Sequence, residues 1–235
     1  MAKTLKKLGS FGDISFTSFH AAHIVSTGVG GGVYTNNPLL AKNVRMYRDW
    51  GRQADINQSK NTKHKNLPKD YNPRFIYEKV GYNFQILELQ AAMGRVQLKK
   101  ANEIKQLRKK NFNYLYKHLS KFPNLILPTW NKKADVCWFS MPLSCGYKDV
   151  GEGFISNKYE RPKLLAHLEK HGIETRPMFA GNILKHPAYE GLKVKSFVKE
   201  ADWILANSFW ISVHPRLTQK DLEYIVKTFD DYYKK

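Results

Sequence analysis

Gly12-Asp13-Ile14-Ser15-Phe16-Thr17-Ser18-Phe19-His20-Ala21-Ala22-His23-Ile24-Val25-Ser26-Thr27-Gly28-Val29-Gly30-Gly31-Gly32 is the stretch on which the reading of this chain turns. A short β-strand ends in a polar turn, and a glycine-rich bend then leads into Val33-Tyr34-Thr35. The chain carries 39 Lys and Arg, yet none lies between Leu8 and Ala41. Clearing fixed positive charge from one segment of a basic protein points to a specific use of that segment. The titratable groups in its middle are His20 and His23. An imidazole can take up and give back a proton near neutral pH. Either histidine would also serve as a hydrogen-bonded structural residue.

With these residues in view, the segment resembles the signature of the DegT/StrS-type sugar-nucleotide aminotransferases, which are fold-type I pyridoxal-phosphate enzymes. The resemblance places Ser18 on a cofactor phosphate-binding serine and Gly28, Gly30 and Gly31 on hairpin glycines. It places His23 where most members carry the lysine that joins the cofactor covalently. A histidine there is similar to the subgroup of 4-keto-6-deoxyhexose 3-dehydratases. These hold pyridoxamine phosphate without a covalent link and make deoxysugars for bacterial surface polysaccharides. In that reading His23 is the catalytic base. A relative that lost the lysine, and with it activity, is the second reading of the same substitution.

The resemblance continues downstream. Asn37-Pro38 opens a helical run from Leu39 to Trp50 that stops at Gly51. Arg48-Asp49-Trp50-Gly51-Arg52 is similar to the family's Arg-x-x-Gly corner. Residues 53–74 read as an exposed polar loop. In Val80-Gly81-Tyr82-Asn83-Phe84-Gln85, Asn83 falls on an asparagine that reaches cofactor phosphate, although Gln85 stands where a cation is usual. A turn or cap role is the alternative for Asn83. A long amphipathic helix begins near Leu87, with Leu89, Ala92, Met93, Val96, Leu98, Ile104 and Leu107 as its packing face and Arg108 among its polar residues. Gln90-Ala91-Ala92-Met93-Gly94 within it supplies small residues for close approach.

Residues 136–143 form a strand-length apolar run, and a helix starts at Arg161-Pro162. Ile173 to Pro177 reads as an edge strand, because Pro177 lacks a ladder donor. Thr218 caps a last helix. Thr175-Arg176-Pro177-Met178-Phe179-Ala180-Gly181-Asn182 resembles the family's substrate-facing stretch. A guanidinium at Arg176 suits a diphosphate, and an ordinary surface arginine is the alternative.

The fold expected is α/β, the C-terminal part of the fold-type I architecture. Residues 1–105 would be a remnant of the large cofactor-binding domain and 106–235 the small C-terminal domain. The family's N-terminal part, with its ring-stacking aromatic and its aspartate for the pyridine nitrogen, has no counterpart here. A homodimer, or a complex with a missing N-terminal half, is therefore expected. Cys137 and Cys145 are the only cysteines, too few for an iron–sulfur cluster, and 52–58 lack the cysteines that one dehydratase branch carries. No metal is expected. The two cysteines, with neither an apolar leader nor a membrane-length apolar run, indicate a cytoplasmic protein that does not enter the membrane. The formal charge of +19 raises nucleic-acid binding, or a basic non-catalytic binding role. The lysines are scattered, however, and no nucleic-acid motif accompanies them. The phosphates of a nucleotide-sugar substrate would equally favour that charge.

Overall fold

A computed structural model describes residues 7–53, 66–149, 153–156, 160–192 and 198–234. Part of the loop expected over 53–74, and most of the cysteine-free 52–58 segment, lie outside these residues. The chain divides into two units, residues 1–101 and 102–235.

In the first unit β1 (Ser15–Ser18) and β2 (Gly31–Tyr34) form an antiparallel pair, with Ser15 opposite Tyr34 and Ser18 opposite Gly31. Among the described residues neither strand has a second neighbour. Helix α1 (Pro38–Arg48) follows. Its start is set by Asn37, whose Oδ1 accepts from the amides of Leu39 and Leu40, and by Pro38 in the first turn. Met46 and Ile76 are the buried apolar side chains of this unit among the described residues. Phe16, Val33, Leu39, Tyr82 and Phe84 are exposed. A two-stranded sheet with so little covered apolar surface has marginal stability by itself.

Helix α2 (Glu88–Leu119) contains the boundary between the units. Its apolar face corrects the sequence expectation. Leu89, Met93, Val96 and Leu98 are exposed, Leu89 by 75%. The fully buried positions come later and include two polar residues: Arg108, Asn111, Phe112, Leu115 and Leu119. Arg108, expected on the polar surface, is only 5% exposed because it donates through Nη1 to the Phe139 carbonyl at 2.9 Å. Asn111 donates to the His214 carbonyl at 2.7 Å. Such partners offset the desolvation that burying polar groups costs.

The second unit is built on a five-stranded antiparallel sheet. β3 (Leu125–Ile126), β4 (Ser140–Asp149), β7 (Ser208–Ser212) and β6 (Thr175–Pro177) lie in that spatial order, and β5 (Gly153–Ser156) pairs with β4. Met141, Leu143 and Cys145 alternate along β4, and Phe209, Ile211 and Val213 alternate along and just beyond β7. The register sets Met141 opposite Ile211 and Leu143 opposite Phe209. One sheet face is thereby made apolar. It packs with Phe112, Leu115 and Leu119 of α2, Leu164 and Leu168 of α3 (Glu160–Lys170), and Leu222 and Phe229 of α5 (Gln219–Tyr233). Helix α4 (Lys199–Asn207) precedes β7. A capping box starts α5: Thr218 accepts from the Asp221 amide, and the Asp221 carboxylate accepts from the Thr218 amide at 2.7 Å.

The strand expected over 136–143 begins four residues later. Trp138 stacks on Phe112 with ring centroids 5.5 Å apart, and Phe139 meets Trp210 edge-on at 5.6 Å. The first half of the apolar run therefore packs as side chains, and the ladder starts at Ser140. Pro177 lies on the edge strand β6, as its missing donor requires.

Beside this core, Asp135 accepts from Lys105 and Lys109 of α2. These bonds, Lys105 first, hold its carboxyl down to about 2. An unfolded aspartate titrates near about 3.9. The link should therefore be intact above about pH 4 and lost as pH falls through about 2. A carboxyl carbon titration by NMR should place the Asp135 midpoint near 2, and a midpoint near 4 would show that the lysines do not hold it.

Candidate cofactor and substrate site

The β1–β2 hairpin carries the histidines because its ladder closes above them. The Phe19 amide donates to the Gly30 carbonyl and the Thr27 amide to the Phe19 carbonyl, both at 2.9 Å. The loop between is set by local bonds. The His23 amide donates to the His20 carbonyl at 3.0 Å, and Ser18 Oγ accepts from the His20 amide at 3.2 Å. His20 Nδ1 accepts from the Ala22 amide at 3.4 Å. The two imidazoles meet edge-on with centroids 6.5 Å apart. Ser18, His20 and His23 are all exposed.

The return limb is fixed to the start of α2. Gln90 Nε2 donates to the Val29 carbonyl at 3.1 Å, while its Oε1 accepts from the Leu87 amide at 3.0 Å. A Cβ at Gly94 would lie 3.0 Å from the Thr27 methyl. The small-residue run in α2 thus accommodates the buried Thr27.

Asn83 lies on a second feature of the same unit. The chain leaves α1 through Trp50 and Gly51, both at positive φ, and runs antiparallel to 82–84 through a bridge between Asp49 and Asn83. The Tyr82 amide donates to the Tyr47 carbonyl at 2.8 Å and the Phe84 amide to the Arg48 carbonyl at 2.9 Å. A Cβ on Gly51 would fall 1.7 Å from the Lys79 carbonyl oxygen, so only glycine fits this corner. Gln85 Nε2 donates to Asp49 Oδ1 at 2.6 Å. The residue standing where a cation is usual therefore braces the corner. The Asn83 side chain is exposed, and its Oδ1 accepts from the Gln85 amide at 3.5 Å.

Between β2, α1 and residues 84–90 lies an open groove of about 1160 Å³, with Arg45 and Arg48 in its lining. None of Ser18, His23 and Asn83 lines it. Arg45 is not among the candidate residues that the sequence offers. Its signal was available in the three-residue spacing from Arg48, which puts both guanidiniums on one helical face.

Ser18 and His23 thus share one hairpin, and Asn83 belongs to the same unit on a different segment. Arg176 belongs to the second unit. It sits on β6 opposite Trp210, exposed and ion-paired with Glu174. An exposed pair of this kind contributes about 0–1 kcal/mol, so a phosphate could displace the carboxylate.

The hairpin's donor set is one that can hold a phosphate and move a proton. A serine hydroxyl and an imidazole are presented to solvent, and there is no lysine from Leu8 to Ala41 to form a Schiff base.

A model of the DegT/DnrJ/EryC1/StrS aminotransferase family matches residues 2–230. The chain is 33% identical over 96% of its length to the lipopolysaccharide biosynthesis protein RfbH of Salmonella typhimurium. It is 32% identical over 95% to a dTDP-4-dehydro-2,6-dideoxy-D-glucose 3-dehydratase of Saccharopolyspora spinosa. It covers 52% and 49% of these proteins, so the chain spans about half the length of the curated relatives it matches. A solved Escherichia coli GDP-4-keto-6-deoxy-D-mannose-3-dehydratase with bound hydrated PLP superimposes with TM-score 0.75 and 25% identity, over 95% of this chain and 56% of that one. No helix of the described residues is long and apolar enough to cross a membrane.

Proposed function

Because this chain belongs to the DegT/DnrJ/EryC1/StrS aminotransferase family, we propose that it forms part of a pyridoxamine-phosphate-dependent 3-dehydratase of a nucleotide-linked 4-keto-6-deoxyhexose. The observation that carries this reading is the exposed His23 on a hairpin that contains no lysine. When bound, the cofactor supplies an amine for the sugar ketone and an electron-withdrawing ring. Ser18 would hold its phosphate through the hydroxyl, with Asn83 as a further phosphate donor. His23 would act as the base of the elimination, taking up a proton at a ring nitrogen and able to return it to the departing C3 hydroxyl. Arg176 would pair with the substrate's diphosphate. The reaction is redox-neutral and requires no iron–sulfur cluster, and the setting is cytoplasmic deoxysugar biosynthesis for surface polysaccharide.

The exposed apolar side chains of the first unit favour a partner that covers them. The partner we propose corresponds to the half of the relatives' length that this chain does not span, and the completed unit would then form a homodimer. The test is to titrate the chain with pyridoxamine phosphate alone and mixed with the N-terminal half of the Salmonella relative. The mixture should bind the cofactor and dehydrate a 4-keto-6-deoxyhexose nucleotide, whereas the chain alone should bind weakly. Neither sample should yield a lysine adduct at a unique site after pyridoxal phosphate and borohydride. A unique lysine adduct on this chain would overturn the dehydratase reading in favour of transamination.

A further inference from the structure

Helix α3 ends in a His-x-x-x-His pair, His167 and His171, that no step of the proposed reaction uses. Residues four apart share a helical face. A glycine cap closes the last turn. Gly172 has φ +73°, its amide donates to the Glu169 carbonyl at 3.0 Å, and the Ile173 amide donates to the Leu168 carbonyl at 2.9 Å. The Tyr224 hydroxyl of α5 donates to the His171 carbonyl at 3.0 Å. The backbone that carries His171 is therefore held from two sides.

Both rings are oriented as well. His167 Nε2 lies 3.1 Å from the Thr228 carbonyl, and His171 Nδ1 lies 2.7 Å from the His167 carbonyl. A carbonyl oxygen only accepts, so each of these nitrogens donates. In a neutral imidazole the other nitrogen then carries a lone pair, which is Nδ1 in His167 and Nε2 in His171. One ring N–H tied to a backbone carbonyl, with the second nitrogen left as an electron-pair donor, is how metal-binding histidines are held.

The spacing of the rings fits a chelate. Their centroids are 4.3 Å apart and their planes are tilted by 43°. An imidazole nitrogen binds a first-row metal at about 2.0–2.1 Å, which sets the ion roughly 3 Å from the ring centre. Two such rings therefore meet one ion at close to a right angle. That angle belongs to square-planar and octahedral spheres and is narrower than the tetrahedral one. His20 and His23, with centroids 6.5 Å apart, would need an almost linear arrangement around a shared ion. The negative end of the α3 dipole lies at the same turn as His171 and favours a cation. Among the described residues no cluster of three or more His, Cys, Asp or Glu is placed to hold a metal, so water would supply the remaining ligands.

We infer that His167 and His171 form a two-histidine site for a divalent transition ion of tetragonal preference, Cu²⁺ or Ni²⁺. Imidazole suits both ions, and the general order of affinities puts Cu²⁺ first. Mg²⁺ takes oxygen ligands and should not compete. A bound ion adds its binding free energy to the stability of the second unit. The site does not depend on the proposed reaction.

The test uses the full chain with Cu²⁺, Ni²⁺ and Mg²⁺ as probes, read by equilibrium dialysis and thermal unfolding. Excess Ni²⁺ should raise Tm and excess Mg²⁺ should not. His171→Gln and, separately, His167→Gln should abolish that rise. Each should weaken Cu²⁺ and Ni²⁺ binding roughly tenfold or more, since losing even an outer-shell partner costs about that much. The double variant His20→Asn with His23→Asn should keep both the affinity and the rise. A readout that needs no variant is NMR of the parent with substoichiometric Ni²⁺, where the ring signals of His167 and His171 should broaden before those of the other histidines. Equal affinity in the parent and both α3 variants would overturn the site. So would loss of affinity in the hairpin variant, broadening that begins at other histidines, or no binding of either transition ion by the parent chain.

Discussion

His23→Asn is expected to cut dehydration by the completed enzyme roughly a hundredfold or more, within the range that a positioned acid–base group contributes. Asparagine keeps the size and polarity of the side chain and removes its basic nitrogen. The backbone bond from the His23 amide to the His20 carbonyl does not involve the ring, so the loop should keep its shape and cofactor binding should persist. His20→Asn is the control. The His20 Nδ1 accepts from the Ala22 amide, a turn contact that asparagine can imitate, so the loss should be small. His23→Lys should allow a borohydride-trapped cofactor adduct and shift the products toward amination. Dehydration by His23→Asn at the parent rate would make the histidine structural and remove the main support for the reaction.

Phe209→Ala should destabilise the second unit by about 3–5 kcal/mol. Phe209 is 0% exposed, lies opposite Leu143 in the sheet and belongs to the core shared with α2, α3 and α5. Its removal deletes the transfer energy of a buried ring and leaves a cavity that a sheet packed under three helices fills poorly. Typical domains are stable by only about 5–15 kcal/mol, so a large fraction would be lost. Urea unfolding followed by tryptophan fluorescence reads this directly. A loss below about 1.5 kcal/mol would mean that the core collapses around the gap.

The features legible in the sequence are those whose cause is local. Asn37-Pro38 before α1, Thr218 before α5 and Pro177 on an edge strand are each explained by one residue and its neighbours. Helical spacing alone puts Arg108 on the surface, because its partner, the Phe139 carbonyl, comes 31 residues later. Leu89, Met93 and Val96 have the spacing of a buried stripe, and spacing cannot report whether anything covers it. The candidate site rests on the resemblance carried by Ser18, His23 and the glycines, which no periodicity or composition supplies. The positive φ of Phe179, +48°, leaves no trace in the sequence, since such a φ is expected at glycine or asparagine and not at phenylalanine.

The open apolar surface of the first unit also has a calorimetric consequence. Covering hydrocarbon removes ordered water and lowers heat capacity, so assembly with the covering polypeptide should show a strongly negative ΔCp. Its driving force near room temperature would be largely entropic, and such a force weakens on cooling. Preparations assembled at 25 °C should therefore come apart more readily on ice, with activity returning on warming.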